Sequence, residues 1–219
     1  MIRKKEKSDE NFNPITQRRM KNIVREPRQE RAIEKKNKII KAGYELFSEV
    51  GYYGTNTAEI AKRAGVSTGI VYGYFQDKRD ILLSVLEIYL EKVSAPLLKR
   101  LDGITAPINY SVLAPLILSD VIKTHKANRK MHEALHSLSG SDEAVNARFI
   151  TLEDTITAKI VDKFRNLGVT TENLVEKVHF AMDIVQTFSH EYVFDKHDYI
   201  DYASMQKIVT ETLTSLFEN

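Results

Sequence analysis

The stretch 57–78, TAEIAKRAGVSTGIVYGYFQDK, constrains this chain more than any other. It predicts two short helices joined by a tight turn. Asn56 is placed to cap the first helix, and Glu59 stands three residues on to close a capping box. Ile60, Ala61 and Ala64 share one side of that helix, and Gly65 suits its end, where the chain must turn. Ser67 caps a second helix over 67–75, in which Val71 and Phe75 sit four apart and point to a core. The other face carries Thr68, Gly69, Ile70, Tyr72, Gly73 and Tyr74. Such a face suits a helix laid in the major groove of DNA. Hydroxyls reach phosphates and base edges, an aliphatic group meets a thymine methyl, and glycine admits close approach. Ordinary packing is the alternative reading for Tyr72 and Tyr74. Gly73 removes one side chain from that face and, inside a helix, costs about 1 kcal/mol relative to alanine.

Charge divides along the chain in the same sense. Residues 1–79 hold 18 Lys and Arg against 10 Asp and Glu, whereas the remainder holds 14 against 20. A basic N-terminal part on an acidic remainder fits one end built for a polyanion and another that stays off it. The 219 residues suffice for one or two domains with a sizeable core. The absence of cysteine excludes disulfides, thiolate metal sites and cysteine nucleophiles. No apolar run approaches a membrane span and the basic start MIRKKEK leads into no signal segment, so the expected location is cytoplasmic.

Residues 1–30 are polar, with nine Lys and Arg, and read as a basic, disordered arm. Over 31–50, Ile39, Ile40, Gly43, Leu46, Phe47 and Val50 mark one face of an amphipathic helix that Gly51 ends. After the two short helices, Asp77 and Asp80 form a second capping box and open a long helix ending at Pro96. Loop follows to about 110, then helices over 115–125, 128–138, 142–167, 172–194 and 202–217. No strand-like alternation of any length appears. The expected fold is all-α, with about nine helices.

One motif outside this frame carries possible chemistry. His132-Glu133-Ala134-Leu135-His136 matches H-E-x-x-H, which on a helix sets two imidazoles one turn apart with a carboxylate between them. A zinc-dependent hydrolase would need a third ligand, for which Glu143 and Glu153 are candidates, and the glycine that extends the motif is one residue late. A chance match on a partly exposed helix is the competing reading. His125, His179, His190 and His197 look scattered and superficial. No phosphate loop or nucleophile elbow is present, so the chain is not expected to be an enzyme and no cofactor is implied.

The segment AGYELFSEVG, followed by TAEIA, AGVSTG, VYGYF and a lysine three residues after the phenylalanine, resembles the DNA-binding domain of the TetR family of bacterial repressors. The resemblance covers roughly residues 31–82. It implies a helix-turn-helix domain over 31–78 and a ligand-binding and dimerisation domain over 79–219. Thr57, Ser67, Tyr74 and Lys78 would meet phosphates; Thr68, Gly69, Ile70 and Tyr72 would read or approach bases. The implied partners are a double-stranded operator, a small-molecule effector and a second copy of the chain, joined through the last two long helices. Phe180, Ile184 and Tyr192, off the main stripe of their helix, fit that interface. Tyr89, Met131, Phe149 and Gln186 are candidate lining residues for the effector pocket, and the acidic remainder favours a cationic ligand. A DNA binder without sequence preference is the alternative to a specific repressor.

Overall fold

The computed structural model describes residues 27–218. Among them are nine α-helices and no strand: α1 (Pro27–Val50), α2 (Thr57–Ala64), α3 (Thr68–Tyr72), α4 (Lys78–Asp102), α5 (Tyr110–Ala127), α6 (Arg129–Ser139), α7 (Glu143–Asn166), α8 (Leu174–Phe194) and α9 (Tyr202–Ser215). The arm expected over 1–30 lies outside the described residues except for 27–30, which already belong to α1.

The helix ends follow local chemistry. Asn56 accepts from Glu59 N while Glu59 reaches back to Asn56 N, a complete capping box. Gly65 adopts φ +68, and Val66 N–H closes on Ala61 O at 3.0 Å, so the chain turns sharply between α2 and α3. Ser67 Oγ accepts from Ile70 N at 3.3 Å. The second helix stops at Tyr72, short of the expected 75. Gly73 is its C-cap at φ −74, where the cost of an interior glycine does not apply.

Three expectations are corrected. Asp77 caps α4 by accepting from Asp80 N, but Asp80 turns its carboxylate to Gln76 N, not back to Asp77, so no reciprocal box forms. The fourth helix passes through Pro96 to Asp102. Pro96 is exposed while Ser94 and Leu101 on either side are buried, and packing on that buried side outweighs one lost backbone bond. Likewise α5 begins at Tyr110, capped by Asn109, and carries Pro115 inside it.

Helices α1 to α3 do not stand apart from the rest. Ile39 and Phe47 of α1, Ile60 of α2 and Val71 of α3 share one core cluster with Leu86 of α4, Met131 and Leu135 of α6 and Val145 of α7. This core crosses the expected 78/79 boundary. Helices α1 and α4 meet closely at Gly43, where a Cβ would lie 2.8 Å from Ile81 Cγ2. Val50, expected on the buried stripe, is 54% exposed, because the chain leaves the helix at Gly51 with φ +82. A second cluster joins α5, α8 and α9 through Leu118, Val185, Phe188, Val209 and Leu213.

Candidate functional site

The α2–α3 unit is fixed from below and open above. Val71 and Phe75 are buried, whereas Ser67, Gly69 and Tyr72 are exposed and Thr57, Thr68, Ile70 and Tyr74 half-buried. Ile70 and Tyr74 also pack against the first core, so part of each side chain is committed to the fold. Arg63 of α2 forms a two-pronged pair with Glu49 of α1, both contacts 2.8 Å, which sets the angle between these helices.

Lys78 opens α4, and the fold already engages its side chain. Its ammonium donates to Tyr52 O at 2.8 Å and Thr55 O at 2.7 Å and lies 4.2 Å from the centre of the Tyr52 ring. Two of its three protons therefore fasten the loop between α1 and α2, and burial holds its pKa below the usual lysine value.

A cavity of about 650 Å³ opens among α4, α5, α6, α7 and α8. Tyr89, Phe149 and Gln186 lie on its wall. Met131 does not: it is 1% exposed and packs in the core shared with α1 to α3. Helix α6 thus presents Met131 and Leu135 to that core, and His132 and His136 to the cavity.

The histidines read from sequence as scattered or incidental are assembled here. His125, His132, His136 and His190 all line the cavity. The His132 ring lies 4.2 Å from His125, 4.0 Å from His136 and 5.6 Å from His190 between centroids, and stacks on Phe194 at 5.0 Å with 6° between planes. Its Nδ1 is 2.7 Å from Tyr89 Oη, and its Nε2 is buried without a partner. Burial foremost, then the neighbouring imidazoles, pushes His132 down to about 2 and His136 down to about 4. Near pH 7 these two imidazoles are therefore uncharged. The available signal was the four-residue spacing of His132 with His136 and of Gln186, His190 and Phe194, which puts each set on one helix face.

The zincin arrangement is not formed. Glu133 is exposed and pairs with Arg129 at 3.4 Å, away from the imidazoles. Among the described residues, the one trio of ligand-type groups whose donor atoms converge within 4.8 Å is Glu153, His179 and Asp183, which does not include the clustered histidines.

Residues 39–85 match the family profile described as bacterial regulatory proteins of the tetR family. Over these residues the chain carries a TetR-family DNA-binding domain. It is 28% identical over 201 residues to the transcriptional regulator HbdR of Aromatoleum sp. strain CIB, covering 91% of this chain and 85% of the relative. It is 36% identical over 70 residues to BetI of Escherichia coli, about a third of each chain. A TetR-family regulator from Mesorhizobium loti shares the fold with a TM-score of 0.67 at 18% identity, covering 85% of this chain and 96% of that one. A further one from Syntrophomonas wolfei gives 0.59 at 21% identity, covering 84% and 95%. With this domain the chain is a DNA-binding transcriptional regulator. Among its described residues no helix is long and apolar enough to cross a membrane.

Proposed function

We propose that the protein is an effector-released repressor that binds a near-palindromic operator as a homodimer. The observation that carries this reading is the face of α3, where Tyr72 stands 57% exposed above the buried Val71. An exposed aromatic beside Ser67, Thr68 and Gly69, on a helix held rigidly from beneath, is suited to base edges more than to solvent. In this reading Thr68, Gly69, Ile70 and Tyr72 approach the bases. Thr57, Ser67, Tyr74 and the remaining proton of Lys78 take phosphates, and residues 31–78 act as the reading domain.

Residues 79–219 act as the effector and dimer domain. Val175 and Phe180 on α8 and Ile208 on α9 expose 43%, 53% and 61% of their surface, apolar area that a second copy would cover. Ile184 and Tyr192, also expected at that interface, are half-buried within the chain's own α5–α8–α9 cluster. A two-fold dimer matches half-sites about 34–36 Å apart, or a multiple of that spacing. DNA as its target places the protein in the cytoplasm.

The effector occupies the histidine-walled cavity. Tyr89 of α4 belongs to that wall, and Arg79 near the start of α4 grips Asp142, the cap of α7, through contacts of 2.5 and 2.8 Å. A ligand that resets α4 thereby moves the reading helices. It releases DNA only to the extent that it binds the DNA-bound form more weakly.

The test is selection from a random duplex pool at near-physiological salt, repeated with Tyr72→Ala and Thr68→Ala. Enrichment of a palindrome that the variants retain poorly is expected. Retention without a common sequence would replace the repressor with a non-specific binder.

A further inference from the structure

Resting on the reading of the cavity as the effector site, we infer that the effector is an organic cation carrying a hydrogen-bond acceptor. Three observations lead there. The cavity wall includes four carboxylates, Glu153, Asp183, Glu191 and Asp195, and no lysine or arginine. Among the described residues, the ion pairs of Glu153, Asp183 and Asp195 are with histidine alone, and Glu191 accepts from the Tyr202 hydroxyl. His125, His132 and His136 add no compensating positive charge, since their pKa values are held below the ordinary histidine value. A cation entering this space meets carboxylates that no lysine or arginine of the wall offsets, and an anion meets repulsion.

The second observation is the unpartnered Nε2 of His132, on a side chain 5% exposed. Its Nδ1 faces the Tyr89 hydroxyl at 2.7 Å. With that hydroxyl donating to Nδ1, both groups of the pair are satisfied and Nε2–H is left as a free donor. The opposite tautomer would strand two groups, the hydroxyl proton and the Nε2 lone pair. A buried donor without a partner is costly, so a ligand acceptor placed there recovers what the wall otherwise forgoes.

Size is the third. A volume of about 650 Å³ is far beyond a bare ion and falls within the range of about 300–1,000 Å³ for small organic ligands. An apolar cleft of about 100 Å³ shares Leu97, Val121, Ile156, Met182 and Gln186 with the cavity and offers room for an apolar body. The ring nitrogens of the clustered histidines do not converge as metal ligands do, which favours the organic cation over a metal ion.

Three probes with one common benzamide group separate the alternatives: N-(2-diethylaminoethyl)benzamide, benzamide and N-benzoylglycine, which are cationic, neutral and anionic near pH 7.5. Calorimetric titration of the full chain should rank them in that order, with at least tenfold between first and last. The pair Glu153→Gln and Asp183→Asn should collapse the order to within about threefold while leaving neutral benzamide unmoved. His132→Phe should weaken all three alike, and circular dichroism should show both variants folded. Tightest binding of the anionic probe would overturn the cation inference and leave the effector cavity standing. Binding of no probe would remove the effector cavity as well. Tight one-to-one uptake of Zn²⁺, lost in His132→Phe, would overturn the inference by making the cavity a metal site.

Discussion

The Tyr89 hydroxyl lies 2.7 Å from His132 Nδ1 and joins α4, the helix leading out of the helix-turn-helix, to α6, the helix that walls the cavity. Both residues are buried. Their contact therefore ties two walls of the candidate effector site together, one of them the helix on which the reading domain is mounted. Burial raises the phenol's pKa far above its ordinary value, so the hydroxyl stays protonated and available as a donor at any physiological pH.

Replacing Tyr89 by Phe keeps the ring and deletes this bond, stranding Nδ1 as well as Nε2 of His132. Urea unfolding should show a loss of about 1–3 kcal/mol, the cost of an unmet buried group. A loss below about 0.5 kcal/mol would mean that the pair contributes little to the fold.

Stability should fall with acid in a defined window. His132 and His136 are held down to about 2 and about 4, and His125 is also lowered, against an ordinary value of 6.5. Below pH 6.5 the unfolded chain takes up protons that the folded chain refuses. The contribution is complete above that pH and is lost as pH falls. A buried neutral histidine can add up to about 1.4 kcal/mol per pH unit to this slope. His136 adds less, because its ring opens onto the cavity. Unfolding midpoints compared between pH 7.5 and 5 should drop, and His132→Phe should flatten the curve.

Lys78→Met separates a fastening lysine from a phosphate ligand. The two carbonyls it serves, Tyr52 O and Thr55 O, would lose a charged donor, and stability should fall by about 1.5–3 kcal/mol. The salt dependence of DNA binding reports the other role. A slope reduced by about 0.9 per protomer bound would show that this ammonium also neutralises a phosphate.

At the α1–α4 crossing, Gly43→Ala should destabilise by about 1–3 kcal/mol through overpacking, because the new methyl would sit 2.8 Å from Ile81 Cγ2 on a fully buried side chain. Differential scanning calorimetry is sufficient to see it. Relief by Ile81→Leu, which removes the β-branched Cγ2 methyl, in the double variant would identify the contact responsible.

What the sequence alone determined was whatever closes within a few residues. Asn56 with Glu59, Gly65, Ser67 and Asp77 set the ends of α2, α3 and α4 through bonds no more than four or five positions long, so their chemistry is written locally. The stripe of Ile39, Leu46 and Phe47 is legible for the same reason, since helical periodicity needs no knowledge of the partner surface. The histidines were not legible in this way. His125, His132 and His190 come from three helices, and only the packing of those helices turns separate imidazoles into one wall. Pro96 and Pro115 mark the same limit, because burial of neighbouring side chains against other helices decides whether a proline ends a helix or rides within it. Lys78 shows it within the recognised domain itself: its partners lie 26 and 23 residues earlier in the chain, and a side chain's duty follows from what the fold brings within 3 Å of it.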